Sequence, residues 1–157
     1  MSLDRFATAH ADADSGYQAA LAEIRSGRKV SHWIWYIFPQ VRGLGHSYNA
    51  NFFGIASGSE ARHYFSDPVL GERLAEITHA LAAHELPLGR VLGLVDAQKV
   101  VSSLTLFIEI AAEYTDVELP WCSRFERAAE VILRRAALMG AGRCQQTLAF
   151  LRVDGGN

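Results

Sequence analysis

The stretch RKVSHWIWYIFPQVRGLGHS, residues 28–47, decides how the chain is read. Its centre, HWIWYIF, is aromatic and β-branched, a composition that favours a strand. The same residues fit a short buried helix capped by Ser31 and stopped ahead of Pro39. Periodicity does not separate the two over so short an apolar run. Everything around it reads as helix and no partner strand is visible, so the expectation is a helix here and an all-α fold.

On the N-terminal side, Ser2 caps a helix over residues 3–11 with Leu3, Phe6, Ala7 and His10 along one side. Asp14 or Ser15 caps a second, in which Tyr17, Ala20, Leu21 and Ile24 share a face. Gly27 stands where a helix end takes a left-handed residue. On the C-terminal side, a glycine-punctuated stretch holds one helical turn near residues 48–53. Ser57 and Glu60 have capping-box spacing before a helix through Tyr64 and Phe65. Asp67-Pro68 is a cap followed by proline at the first helical position, opening a helix over residues 68–84 with Leu70, Leu74, Ile77 and Leu81 at helical spacing. Asp96 opens another to residue 114, its stripe being Val100, Leu104, Phe107, Ala111 and Tyr114. Pro120 starts a helix that Gly140 and Gly142 break, and residues 143–151 form the last. The sum is a single compact domain of seven or eight helices over residues 1–153, with a polar tail at 154–157.

Half of the 157 residues are apolar, a fifth are charged, and the net charge is −2. That is the balance of an ordinary globular domain, and it gives no reason to expect a nucleic-acid polymer or an anionic membrane as partner. The N-terminus reads as no signal peptide, no apolar run approaches membrane-spanning length, and Cys122 and Cys144 match no metal or redox spacing. Isolated thiols suit a reducing compartment, where a buried cysteine acts as a small hydrophobe, so the expected location is the cytoplasm. The six histidines are scattered, with His79 and His84 off the spacing that would place both on one metal; no P-loop or catalytic fingerprint is present. Neither a metal nor a cofactor is expected.

Charge is distributed unevenly. Residues 24–59 carry no Asp or Glu, yet include Arg25, Arg28, Lys29, Arg42, His32 and His46. Cations attract an anion, and closely spaced glycines let backbone N–H groups approach it. Exposed Trp35 or Tyr36 would add a stacking face for a flat ring. The competing reading makes Trp33, Ile34, Ile37 and Phe38 plain core, with the cations on the surface. Ser31 next to His32 is better read as a helix cap than as a nucleophile, and His32 as a hydrogen-bond donor or proton carrier. The GLG turn at 43–45 lacks the third glycine of a dinucleotide fingerprint. In DAQKVVSSLTLF, residues 96–107, Lys99, Ser102 and Ser103 lie one turn apart. Either those hydroxyls bond back to the preceding turn, or with Lys99 they face residues 28–47 and complete an anion pocket.

These blocks resemble a known family. GRKVSHWIWYIFPQVRGLGHS, EARHYFSDPVLGERL and DAQKVVSSLTLF look like the signature blocks of the family called domain of unknown function 1810. The resemblance covers the chain from about Phe6 onward and implies a mainly helical single domain without an established activity. The name calpastatin sometimes attached to members does not fit, because such an inhibitor would be extended and disordered. The chain departs from the family pattern at His10, where Gln is usual, and at Phe53, where Tyr is commoner.

Two readings of function follow. In the first, a small phosphorylated or nucleotide-like ligand is held by Lys29 and Lys99, with His32 donating a hydrogen bond or proton and Trp35 or Tyr36 stacking. Gln40, Gly43, Gly45, Ser47, Ser102 and Ser103 would complete that site. In the second, the chain is a helical interaction module that docks a protein partner through an exposed aromatic patch.

Overall fold

The computed structural model describes residues 2–155, and ten helices lie among them. They are α1 (Asp4–His10), α2 (Tyr17–Ser26), α3 (Ile34–Ile37), α4 (Tyr48–Phe53), α5 (Gly58–Ser66), α6 (Leu70–Ala82), α7 (Leu88–Leu92), α8 (Leu94–Ala111), α9 (Cys122–Leu138) and α10 (Gln145–Asp154). The ambiguous HWIWYIF segment is a single helical turn, α3, ending before Pro39 as the proline requires. The extended pairing among the described residues is an isolated parallel bridge between Val41 and Ile55. No described helix is long and apolar enough to cross a membrane.

Local chemistry sets several helix ends. Ser57 Oγ accepts from the Glu60 amide (3.1 Å), and Ser47 Oγ from the Ala50 amide (3.1 Å). Asp67 Oδ1 accepts from the amides of Val69 and Leu70 (2.9 Å each), so α6 begins at Leu70, two residues after the expected proline. Gly27 takes φ 83°, the left-handed conformation that ends α2. Arg135 donates to the carbonyls of Ala82 (3.0 Å) and His84 (2.9 Å), satisfying the open end of α6.

Four expectations are corrected. The N-cap of α2 is Gly16, and neither Asp14 nor Ser15 caps that helix with its side chain. Ser31 does not cap α3: the helix starts three residues on, with Trp33 as N-cap, and the Ser31 hydroxyl donates to the Asp14 carbonyl (3.4 Å). The helices number ten among the described residues, above the seven or eight expected; α7, which the sequence reading passed over, has five residues between Pro87 and Gly93, too few to show a period. Helix α10 runs to Asp154, so the expected tail shrinks; Gly156 and Asn157 lie outside the described residues.

The core is organised on α8. Beyond the expected stripe, Val101, Ser103, Thr105, Leu106 and Ile108 are also buried, so this helix is enclosed on most sides. Helices α5, α7, α9 and α10 pack on it, while α6 lies between α2 and α9. Trp33, Tyr64, Phe65, Phe107 and Phe125 are fully enclosed, and Tyr64, Phe65 and Phe107 form a continuous aromatic cluster with ring centroids 5.3 and 6.3 Å apart. This arrangement holds the segment after α2 against the first turn of α8, where the candidate site lies.

Candidate functional site

After the left-handed turn at Gly27, the Lys29 amide bonds the Val91 carbonyl of α7 (2.7 Å). The loop then wraps around one carboxylate. Glu23 Oε1 accepts from the amides of Val30 (2.5 Å) and Ser31 (2.7 Å) and from the Trp33 indole N–H (3.2 Å). Partial burial alone would raise the Glu23 pKa, yet these donors outweigh it and hold the carboxyl below the usual carboxylate range. Glu23 is thus the last acid before the acid-free stretch and also the residue that shapes it.

That geometry turns Lys29 inward. Its Nζ lies 2.9 Å from Asp96 Oδ2 and donates to the Ser31 carbonyl at 2.6 Å. It also sits 5.0 Å from the centroid of the buried Trp33 ring. The other Asp96 oxygen meets Lys99 Nζ at 3.4 Å, and that ammonium lies 5.1 Å from the Trp35 ring centroid. Two lysines from distant parts of the chain therefore meet on one carboxylate, each against a tryptophan. The lysine convergence read from the sequence is present, and the anion at its centre is the protein's own Asp96. Asp96 also favours the start of α8 by its place in the first turn.

The other expected site residues are placed variously. Trp35 is half-buried, as is Ser102, one turn beyond Lys99. Ser103 is fully buried, and its hydroxyl has no hydrogen-bond partner. Tyr36 is buried, its hydroxyl donating toward the carbonyls of Ser15 (2.7 Å) and His32 (3.0 Å), so its ring is closed to a ligand. His32 is exposed, and its ring makes no hydrogen bond among the described residues. Gln40 uses its backbone carbonyl to receive the Ile55 amide (2.9 Å). Ser47 is the α4 cap, and a side chain at Gly45 would press on Ala50 Cβ at 2.8 Å. The structure thus gathers Lys29, Lys99 and Trp35, with Ser102 beside Lys99, places Tyr36, Gly45 and Ser47 in structural roles, and encloses Ser103 in the core.

Gly43 lies on a different groove of about 570 Å³, whose walls include Val41, Leu44, Phe150 and Val153. Its φ of 100° is left-handed, and a Cβ there would meet nothing within 4 Å. Gly43→Ala is therefore expected to cost about 1 kcal/mol in urea unfolding, from backbone strain alone. A second cleft, about 580 Å³, lies between α2, α6 and α9 and is lined by Arg25, Glu76, His79, His84 and Arg124. Its charges are engaged internally: Glu76 with Tyr17 and Arg25, Arg124 with Glu72, and His84 with the Ile24 carbonyl. No group of three or more metal-binding side chains occurs among the described residues.

Sequence reading missed Asp96 and Glu23 as partners. Only the acid-free stretch signalled Glu23, because amides and cations without local acids must find a carboxylate elsewhere.

His10 does not line the site. It is buried, with Nε2–H directed at the Tyr36 carbonyl (2.7 Å) and Nδ1 facing the Arg73 guanidinium (3.3 Å).

Known proteins place this architecture. The chain is similar to the crystal structure of the conserved hypothetical protein Rv1873 from Mycobacterium tuberculosis, with 34% identity over 96% of each chain and a TM-score of 0.78. No curated protein matches it. The model of the family described as "Protein of unknown function (DUF1810)" matches residues 1–127, which hold Glu23, Lys29, Trp33, Trp35, Asp96 and Lys99, and the chain belongs to that family.

Proposed function

We propose that the protein binds a small phosphorylated or nucleotide-like ligand at the face formed by Lys99, Trp35 and Ser102. The observation that carries this reading is the convergence of Lys29 and Lys99 on Asp96, with Lys99 over Trp35. Two ammonium groups share one carboxylate, and Lys99, at the longer distance, is the less neutralised of the two, beside a partly exposed ring. Lys29 is 8% exposed and serves as the inner support, while Lys99 is 25% exposed and is the cation a ligand would meet. An anionic group would displace Lys99 from Asp96, and a flat ring would lie against the Trp35 edge. The reading is of binding, since nothing orients the His32 ring as an acid or base.

A thermal-shift panel of nucleotides and sugar phosphates tests it. At least one compound is expected to raise the melting temperature of the wild type by a few degrees, and by much less in Lys99→Ala or Trp35→Leu. A panel without any shift in the wild type overturns the reading.

The alternative, a module that docks a protein partner, draws support from a different place. Tyr48 (77% exposed) and Phe52 (43% exposed) stack on α4 with centroids 5.6 Å apart and planes 10° from parallel. Exposed stacked aromatics mark interaction surfaces. The pair Tyr48→Ser and Phe52→Ser separates the readings, because it would abolish association while leaving a Lys99-dependent ligand shift intact.

A further inference from the structure

The groove beside Gly43 shares no residue with the lysine cluster. Val41 and Leu44 line it from the segment that leads into the glycine turn, and Ala149, Phe150 and Val153 line it from α10. Gly43 adds no side chain to fill it, and its volume is about 570 Å³. Apolar walls of this extent with a few fixed polar groups are the usual form of a small-molecule site.

The fixed polar group is Arg42, which also lines the groove. Its backbone is tied down by the bridge between Val41 and Ile55, the Arg42 amide donating to the Ile55 carbonyl (2.9 Å). Its side chain is tied down as well. Nε donates to the Asn51 carbonyl (3.2 Å) and Nη2 to the Gly54 carbonyl (3.3 Å), at the C-terminal end of α4. Gly54 makes room for this, since a Cβ there would lie 2.7 Å from Arg42 Cα and 2.8 Å from Arg42 Cβ. Carbonyls hold a guanidinium in place without cancelling its charge, and Arg42 forms no ion pair among the described residues. Its Nη1 has no acceptor among them either. The acid on the α10 wall, Asp154, is committed elsewhere, its Oδ2 accepting from the Gly58 amide (2.6 Å) in the first turn of α5.

We propose that this groove binds a small amphipathic carboxylate, a free acyl acid whose carboxylate pairs with Arg42 and whose chain lies against Leu44, Phe150 and Val153. Charge complementarity selects the occupant. The walls accept a hydrocarbon chain, and a guanidinium held in place with no acid of its own accepts an anion. An amphipathic amine would meet the Arg42 charge instead, and an uncharged chain would leave it without a partner. Gln146, exposed on the α10 wall, brings a neutral amide donor that suits the same anion.

The test titrates the full-length protein with octanoate, decanoate and decanol and follows backbone amide signals by NMR. Decanoate is expected to shift the amides of Gly43, Leu44 and Phe150 while those of Lys29 and Lys99 stay in place. It should bind about tenfold more tightly than octanoate, for its two extra methylenes. Decanol, with the same chain length and no charge, should bind about tenfold more weakly than decanoate. Ala149→Glu changes an exposed helical residue and sets a second carboxylate in the groove, so it should abolish decanoate binding with little change in melting temperature. Arg42→Met keeps the apolar stem and should erase the preference for decanoate over decanol. Wild-type signals unmoved by decanoate, decanol binding as tightly as decanoate, or decanoate binding that survives Ala149→Glu each overturn the proposal.

Discussion

Lys29→Ala is expected to lower stability by about 3 kcal/mol, far more than a typical surface lysine would cost. The ammonium is almost enclosed and serves three groups: the Asp96 carboxylate, the Ser31 carbonyl and the Trp33 ring. Removing it leaves Asp96, itself only 18% exposed, with Lys99 alone at a longer distance. It also leaves the Ser31 carbonyl without its donor. Urea unfolding at pH 7 measures the loss. Lys99→Ala, at a more exposed site, should cost about 1 kcal/mol or less in the same experiment.

The contrast decides how the cluster divides its work. A double variant, Lys29→Met with Asp96→Leu, should recover much of the loss, because a buried ion pair exchanges for apolar side chains at little cost while a broken pair does not. If Lys29→Ala instead cost under about 1 kcal/mol, the lysine would be behaving as a surface cation free to leave Asp96. The ligand face would then include Lys29, and the assignment of Lys99 as the contacting cation would fail.

What could be read in advance depended on the reach of each interaction. Ser57 and Asp67 each bond amides two or three residues ahead, so spacing alone exposes them; Ser47 makes the same kind of bond, yet the sequence reading places it in the ligand site. Gly27 is equally local, its left-handed φ being needed where α2 stops. The same reasoning misassigned Ser31, because α3 begins three residues later, at Ile34, and the Ser31 hydroxyl turns to the Asp14 carbonyl seventeen residues back. Lys29 and Lys99 stood out by composition, but their counter-ion did not. With 17 acids in the chain, nothing in the pattern selects Asp96, which looked like a helix opener and is one as well. The glycines misled for a related reason. Gly43 answers a backbone angle and Gly45 a close approach to Ala50, and sequence cannot tell either from a phosphate cradle.

His10→Gln is expected to flatten the pH dependence of stability between about pH 6.5 and 4, and the argument runs through both ring nitrogens. Nε2–H donates to the Tyr36 carbonyl, so Nδ1 is the acceptor, and it faces the Arg73 guanidinium. A second proton would have to enter on Nδ1, against that positive group and inside the protein. Burial is the main cause that pulls the pKa from 6.5 down to about 4; the Tyr36 bond opposes it and Arg73 adds to it. Because the folded value is depressed, the unfolded chain binds the proton first as pH falls. Stability is therefore full above pH 6.5, declines through the window, and has lost about 3 kcal/mol by its lower end. Glu23, also depressed when folded, contributes stability above its ordinary value of 4.5 that is lost only at lower pH, so the upper window isolates His10. A glutamine, the residue usual in the family pattern at this place, can donate its amide to Tyr36 and accept from Arg73 without titrating. Its urea midpoint should match the wild type at pH 7.5 and exceed it at pH 5. An unchanged slope in the variant would mean that His10 is not the group that takes up the proton.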